Sequence, residues 1–266
     1  MKVVILAGGF GTRLGEETSI RPKPMVEIGG RPILWHIMKS YSHYGLNDFV
    51  ILCGYKAESI RNFFLNYAHN AADFTIDLST NDVTWMRSWV EPWKVTLLDT
   101  GENSMTGGRI KRAQDAIGDE TFCLTYGDGV SDVNIADLIA FHQRKRAEKD
   151  IWATVTAAVP PGRFGVLGLD GAHEMVDAFR EKSQRDVGLI NGGFFVCEPQ
   201  VFDLIDGDSS TWEREPMETM VDQGKLASFV HTGFFQPMDT LRDKQLLESL
   251  WEKGEAPWKA WDANGA

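Results

Sequence analysis

The chain has 266 residues, with 27 lysines and arginines against 38 aspartates and glutamates, so its formal net charge at neutral pH is −11. Hydrophobic residues make up 43% of the sequence and charged residues 24%, which is typical of a globular protein and excludes a disordered one. The acidic balance argues against a nucleic-acid-binding protein, which normally carries a basic face. No apolar run approaches the roughly 20 residues that span a bilayer. We therefore expect a soluble protein with no nucleic-acid or membrane partner.

The first half of the sequence alternates short apolar runs with segments of helical periodicity. Residues 3–6 form a continuous apolar run, which is typical of a strand buried on both faces. Further strands are predicted at residues 48–53 and 121–125, and helices from residue 32 to Gly45 and at residues 60–67. Strands that alternate with helices predict a parallel sheet covered by helices.

The segment 73–99 has no clean period, and we interpret it as an insertion that contains strand pairs. Trp85, Trp89 and Trp93 have the four-residue spacing of a helical stripe, but Pro92 argues against a helix there. We expect these aromatic side chains to pack locally, with a contact between subunits as the alternative.

The second half of the chain carries several strand-like runs in close succession. They are residues 152–159, 164–169, 175–179 and 190–197. Asp170 and Gly171 form a turn signal of the kind that joins antiparallel strands. No linker or repeat interrupts the chain, so we expect a single domain with one continuous sheet that is mixed and mostly parallel.

The three cysteines, Cys53, Cys123 and Cys197, all lie in apolar runs without paired spacing. Buried thiols are therefore expected in place of a disulfide or a zinc site. Thiols that stay reduced fit a cytoplasmic location.

A glycine-rich loop, residues 8–13 (GGFGTR), follows the first strand and suits phosphate binding, because glycines let the backbone approach an anion closely. Two common phosphate-binding patterns do not fit it. The dinucleotide pattern requires a third glycine where Leu14 stands, and the P-loop pattern requires a glycine where Arg13 stands. The loop is followed by residues 21–25 (RPKPM).

Together, the glycine loop and the RPKPM segment resemble the signature of the sugar nucleotidyltransferases. Further segments make the resemblance more specific: 104–109 (SMTGGR), 126–129 (YGDG), 160–165 (PPGRFG), 190–196 (INGGFFV) and 236–244 (QPMDTLRDK). Taken together they are similar to the glucose-1-phosphate cytidylyltransferases, over nearly the whole chain. The family's sugar-site motif is commonly E-K-P, and here Ser183 follows Glu181 and Lys182.

The resemblance implies a Rossmann-like nucleotide-diphospho-sugar transferase fold: a mixed, mostly parallel sheet flanked by helices, with antiparallel strand insertions. Residues 1–130 would form a nucleotide-binding half and residues 131–266 a sugar-phosphate-binding half. The implied reaction transfers a cytidylyl group from CTP to glucose 1-phosphate with Mg²⁺ as cofactor. CDP-glucose, a precursor for O-antigen and deoxysugar synthesis, and pyrophosphate would be the products. A homo-oligomer is expected.

The resemblance also implies roles for individual residues. Arg13, Lys23 and Lys182 are the expected catalytic cations, the first two on the CTP phosphates and the third on the sugar phosphate. Asp128 and Asp239 are the expected metal ligands. The expected nucleotide-binding residues are Leu6, Ala7, Gly8, Gly9, Phe10, Gly11, Thr12, Arg13, Lys23, Ser104, Arg109 and Asp128. The expected sugar-phosphate-binding residues are Gly165, Glu181, Lys182, Asn191 and Gly192.

Several alternatives stay open at this point. The nucleotide could be UTP or dTTP, and the chain could be a sugar-nucleotide-binding homologue without turnover. Arg109 could be a surface residue of a charged helical turn, and Asp239 could be only a helix cap. Trp212 could contact the sugar or a neighbouring subunit, or fill the core.

Overall fold

The computed structural model describes residues 1–88, 90–161, 165–169, 176–181 and 188–262, with the backbone alone at residues 16, 87, 88 and 262 and in 165–169 and 176–181. The strands are β1 (Val3–Ala7), β2 (Glu27–Ile28), β3 (Arg31–Pro32), β4 (Asp48–Cys53), β5 (Ala72–Asp77), β6 (Asp82–Ser88), β7 (Lys94–Asp99), β8 (Phe122–Tyr126), β9 (Gly129–Ser131), β10 (Ala153–Ala158), β11 (Gly165–Leu169), β12 (Val176–Glu181), β13 (Ile190–Cys197), β14 (Leu226–His231) and β15 (Phe235–Pro237). The helices are α1 (Gly15–Thr18), α2 (Ile33–His43), α3 (Ala57–Leu65), α4 (Tyr67–Asn70), α5 (Thr106–Arg112), α6 (Gln114–Ile117), α7 (Ile135–Lys149), α8 (Glu215–Asp222) and α9 (Leu241–Glu252).

A seven-stranded sheet forms the centre of the molecule, in the order β14-β10-β13-β8-β1-β4-β7. Strands β8, β1, β4 and β7 pair in parallel, and so do β10 and β14. Strand β13 runs antiparallel to both of its neighbours, β8 and β10. The mixed, mostly parallel sheet predicted from the sequence is confirmed, and it is continuous across both halves of the chain. The division into a nucleotide half and a sugar half stays a prediction.

Burial on both faces of the sheet explains the continuous apolar run of β1. Because successive side chains of a strand point to opposite faces, Val3 and Ile5 join one core cluster while Val4 and Leu6 join the other. All four are buried. The run therefore marks a strand between two layers of helices, as its composition predicted.

Helix α2 covers one of these faces and carries a buried histidine. His36 is fully buried, and its Nε2 donates to the carbonyl oxygen of Ile28 over 2.8 Å. The indole of Trp258 donates to the Nδ1 of the same ring over 3.3 Å. Burial lowers the pKa of His36 from 6.5 to about 4, so the ring is neutral at physiological pH.

The segment 73–99 contains most of the antiparallel hairpin β5–β6, which confirms the predicted strand pair. Its Trp85 packs locally, with ring centroids 5.4 Å from Phe74 and 5.1 Å from His69. Trp93 lies against Phe49 and Tyr67. Trp89 is outside the described residues. The hairpin still exposes a group of large apolar side chains: Ile76, Leu78, Val83, Trp85 and Met86.

Strands β11 and β12 form a separate antiparallel pair, so the strand character predicted for this part of the chain is confirmed. The turn predicted at Asp170 and Gly171 is outside the described residues. The three cysteines are buried and unpaired, as expected. No helix in the described ranges is long and apolar enough to cross a membrane.

Candidate active site

A cavity of about 450 Å³ lies at the carboxyl ends of β1 and β8. Ligands of open α/β sheets bind at this edge, because the loops that leave the strands meet there. The cavity is lined by Leu6, Ala7, Gly8, Gly9, Phe10, Gly11, Thr12, Arg13, Lys23, Pro24, Asn103, Ser104, Met105, Thr106, Arg109, Tyr126, Gly127, Asp128 and Asp239. The structure thus brings together the expected nucleotide-binding residues, including those distant in the sequence, and both expected metal ligands.

The loop between β1 and α1 forms one wall of the cavity, and its shape depends on Gly11. Gly11 has a φ of +63°, a left-handed conformation that favours glycine. A Cβ atom at this position would lie 2.9 Å from the side chain of Thr18 and 3.1 Å from that of Lys23. The loop is followed by only a short turn and the four-residue helix α1, so a helix dipole contributes little to anion binding here.

Lys23 lies between the two candidate metal ligands. Its Nζ is 2.6 Å from Oδ2 of Asp128 and 2.7 Å from Oδ1 of Asp239. Only 10% of its side chain is exposed. Burial lowers the pKa of Lys23, but the two facing carboxylates outweigh this effect and raise the pKa above 10.5. The ammonium is therefore charged at neutral pH. It links the Lys23 loop to two segments that lie 105 and 216 positions further along the chain.

Arg13 lies at the open side of the same cluster. Its guanidinium is 3.2 Å from Oδ2 of Asp239, and its side chain is 76% exposed. The interpretation of Asp239 as a helix cap was wrong. Thr240 caps α9 and forms a capping box with Asp243, so the Asp239 side chain is directed to the cluster of Lys23 and Arg13 and does not cap the helix.

The donor set of the cluster fits a magnesium ion that is also held by phosphate. No group of three or more His, Cys, Asp or Glu side chains that could hold a metal occurs in the described part of the chain. Two convergent carboxylates do occur, at Asp128 and Asp239. Mg²⁺ in nucleotide sites is usually bound by one or two carboxylates with substrate phosphates and water, so two protein ligands are sufficient.

Arg109 is buried, which contradicts the alternative that it is a surface residue of α5. Its guanidinium donates to the carbonyl oxygens of Gly101 and Glu102 over 2.6 and 3.0 Å, and to Oγ1 of Thr100 over 2.8 Å. A Cβ atom at Gly8 would lie 2.2 Å from this guanidinium. Burial lowers the pKa of Arg109 below that of a free arginine side chain. Arg109 therefore joins the β1 loop to the loop after β7 at the back of the cavity.

Four of the five expected sugar-site residues lie on strands of the second half. Gly165 and Glu181 are opposite each other in the β11–β12 ladder. Asn191 and Gly192 lie on β13, and the Asn191 amide donates to the Tyr126 hydroxyl over 3.3 Å. Lys182 is outside the described residues, as is the departure at Ser183.

Two functional candidates were missed from the sequence. Tyr126 lines the cavity two residues before Asp128, and its hydroxyl donates to Glu213 over 2.5 Å. The sequence around Glu213 shows no periodicity that would mark it as a site residue, and its only notable neighbour in the sequence is Trp212. Trp212 is fully buried and its ring contacts Phe195. Trp212 therefore fills the core, which was one of its three open interpretations.

Comparisons with known proteins identify the family of this chain. Residues 2–253 match the nucleotidyl transferase family model. The chain is 55% identical over 263 residues to the glucose-1-phosphate cytidylyltransferases of Salmonella typhi and Salmonella typhimurium, covering 98% of this chain and 100% of each relative. The crystal structure of HddC from Yersinia pseudotuberculosis superposes with a TM-score of 0.67 at 24% identity, covering 94% of this chain and 99% of the other. The resemblance drawn from the motifs is confirmed: the chain belongs to the nucleotidyl transferase family.

Proposed function

We propose that this protein transfers a cytidylyl group from CTP to α-D-glucose 1-phosphate, giving CDP-glucose and pyrophosphate. The observation that carries the proposal is the cluster of Lys23, Asp128 and Asp239 at the carboxyl edge of the sheet, beside the glycine loop. The choice of cytidine and glucose is supported by the 55% identity to the two Salmonella cytidylyltransferases.

In the proposed reaction a phosphate oxygen of the sugar phosphate attacks the α-phosphorus of CTP. The bond between the α-phosphorus and the β-phosphate breaks, and pyrophosphate leaves with the electron pair. The attacking oxygen is already an anion, so no general base is needed. The protein must bring two anions together and align them, which is chiefly a matter of positioning and charge stabilisation.

The cations of the site supply this stabilisation. Arg13 and Lys23 bind the phosphates of CTP, and Lys23 is held in place beforehand by its two carboxylate partners. Lys182 meets the phosphate of the sugar from the second half of the chain. If so, Lys182→Ala raises the KM for glucose 1-phosphate and lowers kcat, with little change in the calorimetric Kd for CTP. A weaker Kd for CTP with an unaltered KM would place Lys182 on the nucleotide side.

Asp128 and Asp239 are the residues that would hold Mg²⁺. When bound, the ion supplies charge neutralisation at the phosphates. Lys23 and Arg13 contact these same carboxylates, so the negative charge of the two aspartates is already balanced in the absence of a ligand.

The nucleoside would lie against Leu6, the glycine loop and Ser104. Arg109 orders this pocket, because its guanidinium holds the loop after β7 by hydrogen bonds and packs closely against Gly8 of the glycine loop. Glucose would lie near Gly165, Glu181, Asn191 and Gly192, with the Glu181 carboxylate accepting from sugar hydroxyls.

We also propose a cytoplasmic homo-oligomer in which the exposed apolar side chains of hairpin β5–β6 contact a second copy. Light scattering of the purified protein is expected to give a mass that is a multiple of the chain mass, and replacement of Leu78 by lysine is expected to reduce it. A monomeric mass for the wild-type protein would contradict this proposal.

Each of the four ribonucleoside triphosphates and dTTP, offered separately with Mg²⁺ and glucose 1-phosphate, tests the proposed specificity. Pyrophosphate release is expected with CTP above all, together with CDP-glucose in the product mixture. Preferred turnover of UTP or dTTP would establish another pyrimidine nucleotidyltransferase, and no release with any triphosphate would indicate a binding homologue.

A further inference from the structure

Tyr126, Glu213, Thr106 and Asn191 form a hydrogen-bonded group between the nucleotide cavity and β13. The Tyr126 hydroxyl is 2.5 Å from Oε1 of Glu213, and the Thr106 hydroxyl is 2.6 Å from Oε2 of the same carboxylate. The Asn191 amide nitrogen is 3.3 Å from the Tyr126 oxygen. Since Tyr126 and Thr106 both line the cavity, the group forms part of its wall.

The donors and acceptors of this group have fixed directions. A carboxylate can only accept, so both hydroxyl protons must point to Glu213. The Asn191 amide is fixed as well, because its Oδ1 accepts from the backbone N–H of Gly193 over 2.8 Å, which leaves the amide nitrogen to donate to Tyr126. With its proton directed to Glu213 and one lone pair facing the Asn191 amide, the phenolic oxygen can act towards a ligand only as an acceptor, through its second lone pair.

The protein backbone also fits closely around the Tyr126 ring. Gly193 has a φ of +75°, and a Cβ atom there would lie 2.5 Å from Cδ2 of the ring. On the other side, the backbone N–H of Trp212 donates to the Thr106 hydroxyl over 2.9 Å, and the fully buried Trp212 side chain anchors the segment that carries Glu213. The ring and the carboxylate are therefore held from two directions.

We propose that Glu213 is a positioning residue that fixes the Tyr126 hydroxyl so that the phenolic oxygen accepts a hydrogen bond from a hydroxyl of the acceptor sugar. The inference rests on the proposed function and deepens it. Its position favours the sugar over the base, because Tyr126 is contacted by Asn191 of β13, on the sugar side, and lies two residues before Asp128.

The test compares the wild-type protein with two variants. Tyr126→Phe removes the acceptor oxygen. Glu213→Gln introduces an amide that can donate to the phenolic oxygen, so that the Tyr126 proton no longer has to point to residue 213. Both changes are expected to raise the KM for glucose 1-phosphate about tenfold, the loss expected for one hydrogen bond in a partly buried site. The calorimetric Kd for CTP with Mg²⁺ is expected to stay within twofold. Glu218→Gln, at an exposed position of α8, is the matched control and is expected to change neither value.

A series of monodeoxy analogues of glucose 1-phosphate identifies the hydroxyl concerned. The wild-type protein is expected to lose about tenfold in kcat/KM with one analogue, and Tyr126→Phe is expected to cause no further loss with that analogue. The double variant Tyr126→Phe/Glu213→Gln is expected to match Tyr126→Phe alone, since Glu213 acts through the tyrosine. Glu213→Asp keeps the charge and provides a second variant if the glutamine variant does not fold.

Two results would overturn the inference while leaving the proposed function intact. One is an equal loss by Tyr126→Phe with every deoxy analogue. The other is a changed Kd for CTP or a changed preference between CTP and UTP, which would place the tyrosine oxygen at the base. A wild-type protein that makes no CDP-glucose would instead contradict the proposed function itself.

Discussion

Replacement of Lys23 by methionine removes the charge at the centre of the site while keeping most of the side-chain volume. In the free protein, the change leaves the carboxylates of Asp128 and Asp239 facing each other without the ammonium that lies 2.6 and 2.7 Å from them. Loss of one partner in a fully buried pair costs about 3–5 kcal/mol. The two carboxylates are 34% and 22% exposed, so water can partly replace the lysine. We therefore expect a loss of about 1–2 kcal/mol in the free energy of unfolding, between the values for exposed and for fully buried pairs.

The effect of the same replacement on catalysis is expected to be larger than its effect on stability. Removal of one preorganised group that stabilises transition-state charge costs about 2–4 kcal/mol, or roughly 30- to 1,000-fold in rate. The melting temperature is expected to fall by about 2–8 °C for a chain of this size. Added Mg²⁺ is expected to restore part of the lost melting temperature in the variant. The ion is expected to raise the melting temperature of the wild-type protein by less than that of the variant, because Mg²⁺ and the Lys23 ammonium compete for the same carboxylate oxygens.

Steady-state kinetics and thermal unfolding monitored by circular dichroism, with and without Mg²⁺, measure these effects. Arg21→Met is the matched control. It lies in the same loop, its side chain is 34% exposed, and its 2.7 Å ion pair is with Glu27, away from the cavity. The control is expected to stay within about 0.5–1 kcal/mol of the wild-type stability, with unchanged turnover. A Lys23→Met variant with near-normal kcat/KM would refute the role assigned to the lysine.

Three further predictions concern other parts of the site and the core. Asp239→Asn keeps the shape of the side chain but removes an anionic ligand. The Mg²⁺ concentration for half-maximal activity is therefore expected to rise at least tenfold, while the KM for glucose 1-phosphate changes less. An unchanged Mg²⁺ activation curve would show that Asp239 does not bind the metal. Gly8→Ala places a methyl group 2.2 Å from the Arg109 guanidinium, so the free energy of unfolding is expected to fall by about 2–3 kcal/mol and the calorimetric Kd for CTP to weaken. A wild-type free energy of unfolding together with a wild-type Kd would contradict the close approach of Arg109 to Gly8. His36 has a pKa of about 4 in the folded protein and about 6.5 in the unfolded chain, so the free energy of unfolding is expected to fall by about 3 kcal/mol as the pH drops from 6.5 towards 4. Urea titrations over this pH range measure the change, and His36→Gln is expected to reduce the dependence of stability on pH. An equal pH dependence in both proteins would contradict the buried, neutral state of His36.

Local sequence patterns were sufficient where one physical requirement dominates. The apolar run at Val3 to Leu6 predicted a strand covered on both faces, and the structure places it third from the β7 edge of the central sheet, between two core clusters. Pro92 correctly excluded a helix in the tryptophan-containing insertion.

Features that depend on contacts between distant segments were not accessible in this way. The sequence places Lys23 in a loop next to prolines and gives no sign that its side chain is nearly buried between carboxylates more than 100 positions away. The charged run that contains Arg109 left a surface position open as an alternative, yet the guanidinium is buried because the carbonyl oxygens of Gly101 and Glu102 satisfy it. The resemblance supplied the pairing of Asp128 with Asp239, which no periodicity could predict.

The most direct test of the proposed reaction is isotope tracing with glucose 1-phosphate that carries ¹⁸O in its phosphoryl oxygens. The reaction is followed by ³¹P NMR in the presence of CTP and Mg²⁺. If a sugar-phosphate oxygen attacks the α-phosphorus of CTP, ¹⁸O must appear in the bridge between the two phosphorus atoms of CDP-glucose, and the released pyrophosphate must carry none. Label in the pyrophosphate, or a CDP-glucose bridge without ¹⁸O, would contradict the proposed attack on the α-phosphorus.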